Sequence, residues 1–104
     1  MQKIINSKKY DSENAEEIAH FSNSYGRNDF GYIAEALYRT SKGNWFMIGE
    51  GGPRTKYATP VSGGGMSGSE DLLAFNNRDA YKWLAKHNEV EAIERYFNDR
   101  IVEA

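Results

Sequence analysis

The segment whose residue types most suggest chemistry is the glycine-rich stretch 49–56, which ends in Arg54-Thr55-Lys56. Glycine-rich loops bind phosphate where a Gly-Lys-Ser/Thr or Gly-x-Gly-x-x-Gly pattern opens a helix. This chain has neither pattern, and no helix is predicted directly after the stretch. We therefore expect no nucleotide cofactor, but a loop whose backbone amides and two bases, Arg54 and Lys56, could hold an anionic or acidic partner surface.

The acidic and imidazole side chains give only weak indications of catalysis. Glu35 and Glu50 fall on strands expected to pair, and paired carboxylates are what a glycosidase requires. A chain this short leaves little room for a substrate cleft, so solvated charges on a sheet are the favoured interpretation. His20 and His87 lack a metal-ligand spacing and the chain has no cysteine, so we expect no metal site and no enzyme.

Two polar loops, residues 23–29 and 50–58, are the candidate partner-binding regions. Tyrosine and arginine are enriched at protein interfaces because they bury a large area at low entropic cost. The alternative for the first loop is a plain connection with Phe30 tucked inward. The predicted partner-binding residues are Tyr25, Arg27, Asp29, Glu50, Arg54, Lys56 and Tyr57.

A β-hairpin over residues 32–50 is the strongest local pattern among the elements that would position these loops. Two runs rich in aromatic and β-branched residues flank a Lys42-Gly43-Asn44 turn. Shorter strands are predicted at residues 3–5, 8–10, 56–58 and 71–75.

Three helices are predicted. The first is capped by Asp11 or Ser12 and ends near residue 22, the second is capped by Asn76 or Asn77, and the third follows a break at Asn88. The expected core consists of Ile18, Ile33, Leu37, Trp45, Ile48, Leu73, Trp83, Leu84, Ile93 and Phe97. The predicted fold class is α+β, with an antiparallel sheet of about four strands and helices packed on one face, in one domain over residues 1–104.

Composition sets further bounds on function. The content of 39% hydrophobic and 13% aromatic residues supports a folded core. With a net charge of −2, the chain is neither basic enough for long-range attraction to nucleic acid nor acidic enough to mimic nucleic acid. No apolar run is long enough to span a membrane, and the first residues do not look like a signal peptide, so we expect a cytoplasmic protein.

A set of short motifs is spread over most of the chain, as far as the region 80–87. These motifs are Lys9-Tyr10-Asp11, Ser22-Asn23, Asp29-Phe30, Glu35-x-Leu37-Tyr38-Arg39-Thr40, Gly43-x-Trp45-Phe46, Gly49-Glu50-Gly51-Gly52, Lys56-Tyr57-Ala58 and Ser67-Gly68-Ser69. In these motifs the chain resembles a group of small uncharacterised proteins from bacterial plasmids, phages and integrated elements. The resemblance implies an accessory protein of a mobile element in a bacterial host. Such proteins are often inhibitors of host defence, anti-CRISPR proteins among them.

We therefore expect a non-enzymatic protein that inhibits a host defence protein or ribonucleoprotein complex by protein–protein contact. Direct binding of nucleic acid is not expected. The alternative is a small regulatory or nucleic-acid-associated module that uses a weak basic strip. That strip would consist of Arg27, Arg39, Lys42, Arg54 and Lys56.

Overall fold

The computed structural model describes all 104 residues and places a four-stranded antiparallel sheet at the centre of the molecule. The strands are β1 (Gln2–Ile5), β2 (Lys8–Asp11), β3 (Ala15–Ser22), β4 (Ile33–Thr40), β5 (Trp45–Gly51), β6 (Thr59–Pro60), β7 (Met66–Ser67) and β8 (Ser69–Phe75), and the helices are α1 (Asn77–Lys86) and α2 (Val90–Tyr96). The central sheet has the order β3-β4-β5-β8, and β1 and β2 form a separate hairpin. The predicted α+β class is confirmed.

The sheet is covered on both faces, but by different elements. Alternate residues of β4 and β5, such as Leu37 and Met47, pack with Trp83 and Leu84 of α1 in the main core. On the opposite face a smaller core is built from Tyr10, Phe46 and Leu72. Strand β5 is therefore buried on both sides, which explains why its side chains lack the polar alternation of a half-exposed strand.

The predicted hairpin is confirmed as β4 and β5, whose register runs from Ile33 opposite Gly51 to Arg39 opposite Trp45. Its turn contains Gly43 at φ 84°, a backbone conformation that glycine adopts without steric cost. Helix α1 begins as predicted, because the Asn76 side chain accepts a hydrogen bond from the Asp79 amide and closes a capping box.

The predicted first helix is wrong, because residues 15–22 form strand β3. Asp11 does cap a helical segment, but only the single 3-10 turn 12–14. The pairing of β3 with β4 shifts register between Glu17 and Ala19, as a β-bulge does. The bulge breaks the alternation of strand side chains, so Ile18 and Ala19 both contribute to the core, with a spacing that imitates a helical stripe.

The predicted strand at 56–58 and part of the predicted core are also wrong. Residues 56–58 are irregular, and the short strands β6 and β7 lie further along, joined by three glycines with positive φ. Leu73 is 40% exposed because it lies on the edge strand β8 and alternates away from Leu72, which is fully buried. Of the other predicted core residues, Ile18, Ile33 and Ile93 are partly buried and pack against the main core, and Ile48 packs against the smaller core.

Candidate partner-binding surface

The loop between β3 and β4 is fixed by its own polar side chains. The Asn23 side chain donates to the Gly31 carbonyl over 2.8 Å and accepts from the Ile33 amide over 3.2 Å. Asp29 Oδ1 accepts from the Gly31 amide over 2.7 Å. Asparagine and aspartate stabilise turns by such bonds to nearby backbone. The predicted first loop is therefore an ordered connection.

The loop that follows β5 is hydrogen-bonded to this first loop. The Gly52 amide donates to the Tyr32 carbonyl and the Arg54 amide to the Phe30 carbonyl, each over 2.9 Å. A Cβ atom at position 52 would lie 2.6 Å from the Phe30 carbonyl oxygen, so only glycine permits this approach. Thr55 closes the turn by donating its hydroxyl to the Gly52 carbonyl. The two predicted loops thus form one rigid surface.

We call this surface the loop platform and define it by Tyr25, Arg27, Asp29, Phe30 and Arg54. Tyr25 and Phe30 are 54% and 58% exposed. The Arg54 guanidinium lies 5.8 Å from the Phe30 ring centre, and stacking of this kind restrains an exposed arginine. A cleft of about 430 Å³ between Phe30 and the start of β8 borders the platform.

Arg27 connects the platform to the end of the sheet. Its Nη1 atom lies 3.1 Å from Glu50 Oε1, and its guanidinium lies 5.7 Å from the centre of the Tyr32 ring. The pair is exposed on the arginine side, so it orients Arg27 more than it stabilises the fold. The structure therefore brings together Tyr25, Arg27, Asp29, Glu50 and Arg54 of the seven predicted residues. Phe30 joins them with 58% of its surface exposed, so the alternative in which it tucks inward is wrong.

The remaining two predicted residues, Lys56 and Tyr57, both contact Glu35 of strand β4. Lys56 Nζ lies 2.7 Å from Glu35 Oε2, and the Tyr57 hydroxyl donates to the same oxygen over 2.5 Å. Trp83 Nε1 donates to the other carboxylate oxygen, Oε1, over 2.9 Å. The Tyr57 side chain is only 6% exposed. The Tyr57 side chain is therefore unavailable to a partner, whereas Lys56, whose side chain is 58% exposed, is engaged by its ion pair with Glu35.

This cluster corrects the interpretation of Glu35 as a solvated charge. Burial acts to raise the pKa of Glu35, but the three hydrogen bonds and the charge of Lys56 outweigh it and the pKa is lowered. Burial and the bond to Glu35 raise the pKa of Tyr57. Glu35 is thus ionised, and hydrogen-bond donors occupy most of its carboxylate lone pairs. This arrangement links β4, the second loop and α1, which is a structural role.

The other candidates for chemistry are not brought together. Glu35 lies opposite Gly49 and Glu50 opposite Ala34, so the two carboxylates point to opposite faces of the sheet. His20 is exposed on β3, whereas His87 is the C-cap of α1 and stacks on Phe21. No group of three His, Asp or Glu side chains is arranged to hold a metal ion.

The five bases of the alternative function do not form a continuous strip. Arg27 and Arg54 lie at the loop end of the β4–β5 hairpin, and Arg39 and Lys42 lie at its turn end. Strand β4 separates these ends by about 20 Å, at roughly 3.3 Å per residue. Lys56 is paired with Glu35 between them.

No family model, curated protein or solved structure matches the chain. Neither helix has the length and apolar character needed to cross a bilayer. The geometry of the loop platform is therefore the basis for assigning a function.

Proposed function

We propose that this is a non-enzymatic binding protein of a mobile element, which blocks a host defence complex by contact through the loop platform. The observation that supports the proposal is the convergence of two exposed aromatic rings and two arginines on one hydrogen-bonded pair of loops. Aromatic and arginine side chains supply most hot spots of protein interfaces. We also propose that the protein acts in the cytoplasm of the bacterial host.

The order of the two loops favours binding. A partner that meets a flexible loop must offset the entropy of fixing it, whereas a loop already held in place avoids much of that cost. Here Asn23 and Asp29 fix the first loop, and the backbone bonds from Gly52 and Arg54 fix the second. The aromatic side chains are thus displayed on loops whose backbone is already held by hydrogen bonds.

The size of the chain is sufficient for occlusion. A specific interface buries roughly 800 Å² on each partner, which is roughly a ninth of the 7133 Å² of accessible surface on this protein. Blocking a site by covering it requires no catalytic residue, only shape and chemical complementarity. One end of an elongated molecule of 52 × 36 × 20 Å can supply it.

The charges of the platform indicate the kind of partner surface. Arg27 is already paired with Glu50, but Arg54 makes no ion pair and rests on Phe30. A partner with a carboxylate beside an apolar pocket would engage Arg54 and Phe30 together. Such mixed chemistry is typical of a protein surface, so we propose a protein subunit of a defence complex, including a ribonucleoprotein, as the target.

A plasmid-interference assay tests this function. Cells that carry an RNA-guided nuclease and a targeted plasmid are given either this protein or an empty vector, across a panel of such nucleases. The proposal predicts that the protein restores plasmid establishment against at least one nuclease. Unchanged interference by every member of the panel, in cells shown to contain the folded protein, would contradict it.

A further inference from the structure

The end of the molecule opposite the loop platform carries an unpaired group of bases. Two polar clefts, of about 460 and 380 Å³, lie on either side of the turn 41–44, and Lys42 lines both of them. The bases that line the two clefts are Lys8, Lys9, Arg39, Lys42 and Arg100. We call this group the basic turn end.

None of these five bases forms an ion pair. The ion pairs of the protein use Lys3, His20, Arg27, Lys56 and Arg95 instead. Two acids line the clefts, and one of them, Asp11, is occupied by hydrogen bonds from the Glu13 amide and the Asn14 side chain. Five bases against two acids is a marked local excess in a chain whose 15 acids outnumber its 13 bases.

Arg39 is held in place without a counter-charge. Its guanidinium lies 5.0 Å from the Tyr96 ring centre and 5.6 Å from that of Trp45. Its Nε atom is buried and makes no hydrogen bond. The buried Nε atom cannot reach an external anion, but the terminal nitrogens of a guanidinium that is held by aromatic rings and has no carboxylate partner can donate to one.

The other cleft-lining groups are suited to the same type of ligand. Hydroxyl and amide side chains are common donors to phosphate oxygens in nucleic-acid complexes. Here they are Ser7, Thr40, Ser41, Asn44 and Asn77. Because Lys42 belongs to both clefts, the donors follow a line around the turn, a layout that fits successive phosphates of a chain.

We infer that the basic turn end binds the sugar–phosphate backbone of a nucleic acid. The contact is independent of base sequence, since the groups available to it are cations and small polar donors. The aromatic residues of the second cleft are not available for base stacking, because Trp45 and Phe97 are buried and Tyr96 lies against Arg39. This inference differs from the basic strip suggested by the sequence, because Arg27, Arg54 and Lys56 take no part. It does not depend on the loop platform, which lies at the other end of the β4–β5 hairpin.

Fluorescence anisotropy with labelled single-stranded RNA and DNA tests the inference. We expect binding at low salt that weakens as salt rises, with a slope of about −3 to −4 in the plot of log affinity against log salt, since each of five contacts contributes about −0.7. An oligonucleotide with an uncharged methylphosphonate backbone should not bind. Absence of binding at low salt, or equal binding of the uncharged oligonucleotide, would overturn the inference.

A matched pair of variants locates the contact. Lys9→Gln/Lys42→Gln should weaken binding and reduce the steepness of the slope by about 1.4. Lys82→Gln/Lys86→Gln removes the same charge from exposed positions of α1 that line neither cleft, and should bind like the parent protein. If the first variant melts below the parent, Lys42→Gln alone replaces it, with an expected slope change of about 0.7. Equal loss in both double variants would overturn the proposed location.

Discussion

The Nζ atom of Lys56 lies 2.7 Å from Oε2 of Glu35, so a lysine on a surface loop neutralises a carboxylate that is 5% exposed. Tyr57 and Trp83 complete the cluster from the same loop and from α1. These contacts attach the second polar loop, residues 50–58, to the core of the sheet. The stability of the fold and the order of the loop platform are thereby linked.

Glu35→Ala should destabilise the protein by about 2–5 kcal/mol, because the buried Tyr57 hydroxyl and the Trp83 indole N–H both lose their acceptor, at about 1–3 kcal/mol each. Lys56→Ala should cost only about 1 kcal/mol, since its side chain is 58% exposed and screened by solvent. Urea denaturation of both variants provides the comparison. A Glu35→Ala variant as stable as the parent would show that the cluster does not stabilise the fold.

Trp83 contributes to the core and to the same cluster, and two substitutions separate the contributions. Trp83→Ala should cost about 3–5 kcal/mol through lost packing. Trp83→Phe retains much of the volume but leaves Glu35 Oε1 without its indole donor, so a smaller loss of about 1–3 kcal/mol is expected. Thermal melting measures both, and an unchanged midpoint for Trp83→Ala would contradict its place in the core.

Neighbouring leucines of β8 offer a matched test of the sheet register. Leu72→Ala should cost about 2–5 kcal/mol because Leu72 is fully buried beside Tyr10 and Phe46. Leu73→Ala should cost less than about 1 kcal/mol because its side chain is 40% exposed. Denaturation midpoints that rank the two variants in the opposite order would indicate a register shifted by one residue.

Stability should fall in two stages as the pH is lowered. Burial lowers the pKa of His87 below 6.5, so the unfolded chain gains a proton before the folded protein does and stability decreases below about pH 6.5. The lowered pKa of Glu35 produces a second decrease below about pH 4.5. His87→Gln should abolish the first stage and keep the second, as measured by urea denaturation at each pH. A variant with an unaltered pH profile would exclude His87.

The elements that could be predicted from the sequence are those whose local residue preferences match the conformation found in the fold. The turn residues Asn6 and Ser7 adopt positive φ as a two-residue hairpin requires, and Asn76 caps α1 as expected. Residues 15–22 were mispredicted because alanine and glutamate favour helix and because the bulge hides the strand alternation. In that segment a tertiary contact, the pairing with the edge of strand β4, determines the structure.

The candidate site could be predicted in part for a related reason. Both polar loops could be recognised from their composition, and they do meet at one end of the sheet. Local sequence could not show that Lys56 and Tyr57 both contact Glu35, because this partner is more than twenty positions away along the chain. For the same reason, the assembly of Lys8, Lys42 and Arg100 at the turn end depends on the fold.

The central claim is that the loop platform is the surface that binds a defence complex, and quantitative capture from host lysate tests it most directly. The baits are the parent, a Tyr25→Ala/Phe30→Ala/Arg54→Ala variant and the Lys82→Gln/Lys86→Gln control. All three should melt alike, since exposed substitutions usually change stability by no more than about 0.5 kcal/mol. We expect the parent and the control to retain a subunit of a nucleic-acid-targeting defence complex. The platform variant should bind that subunit at least about thirtyfold more weakly, because loss of one hot spot costs about 2 kcal/mol of binding free energy. Equal capture of that subunit by all three baits would contradict the claim.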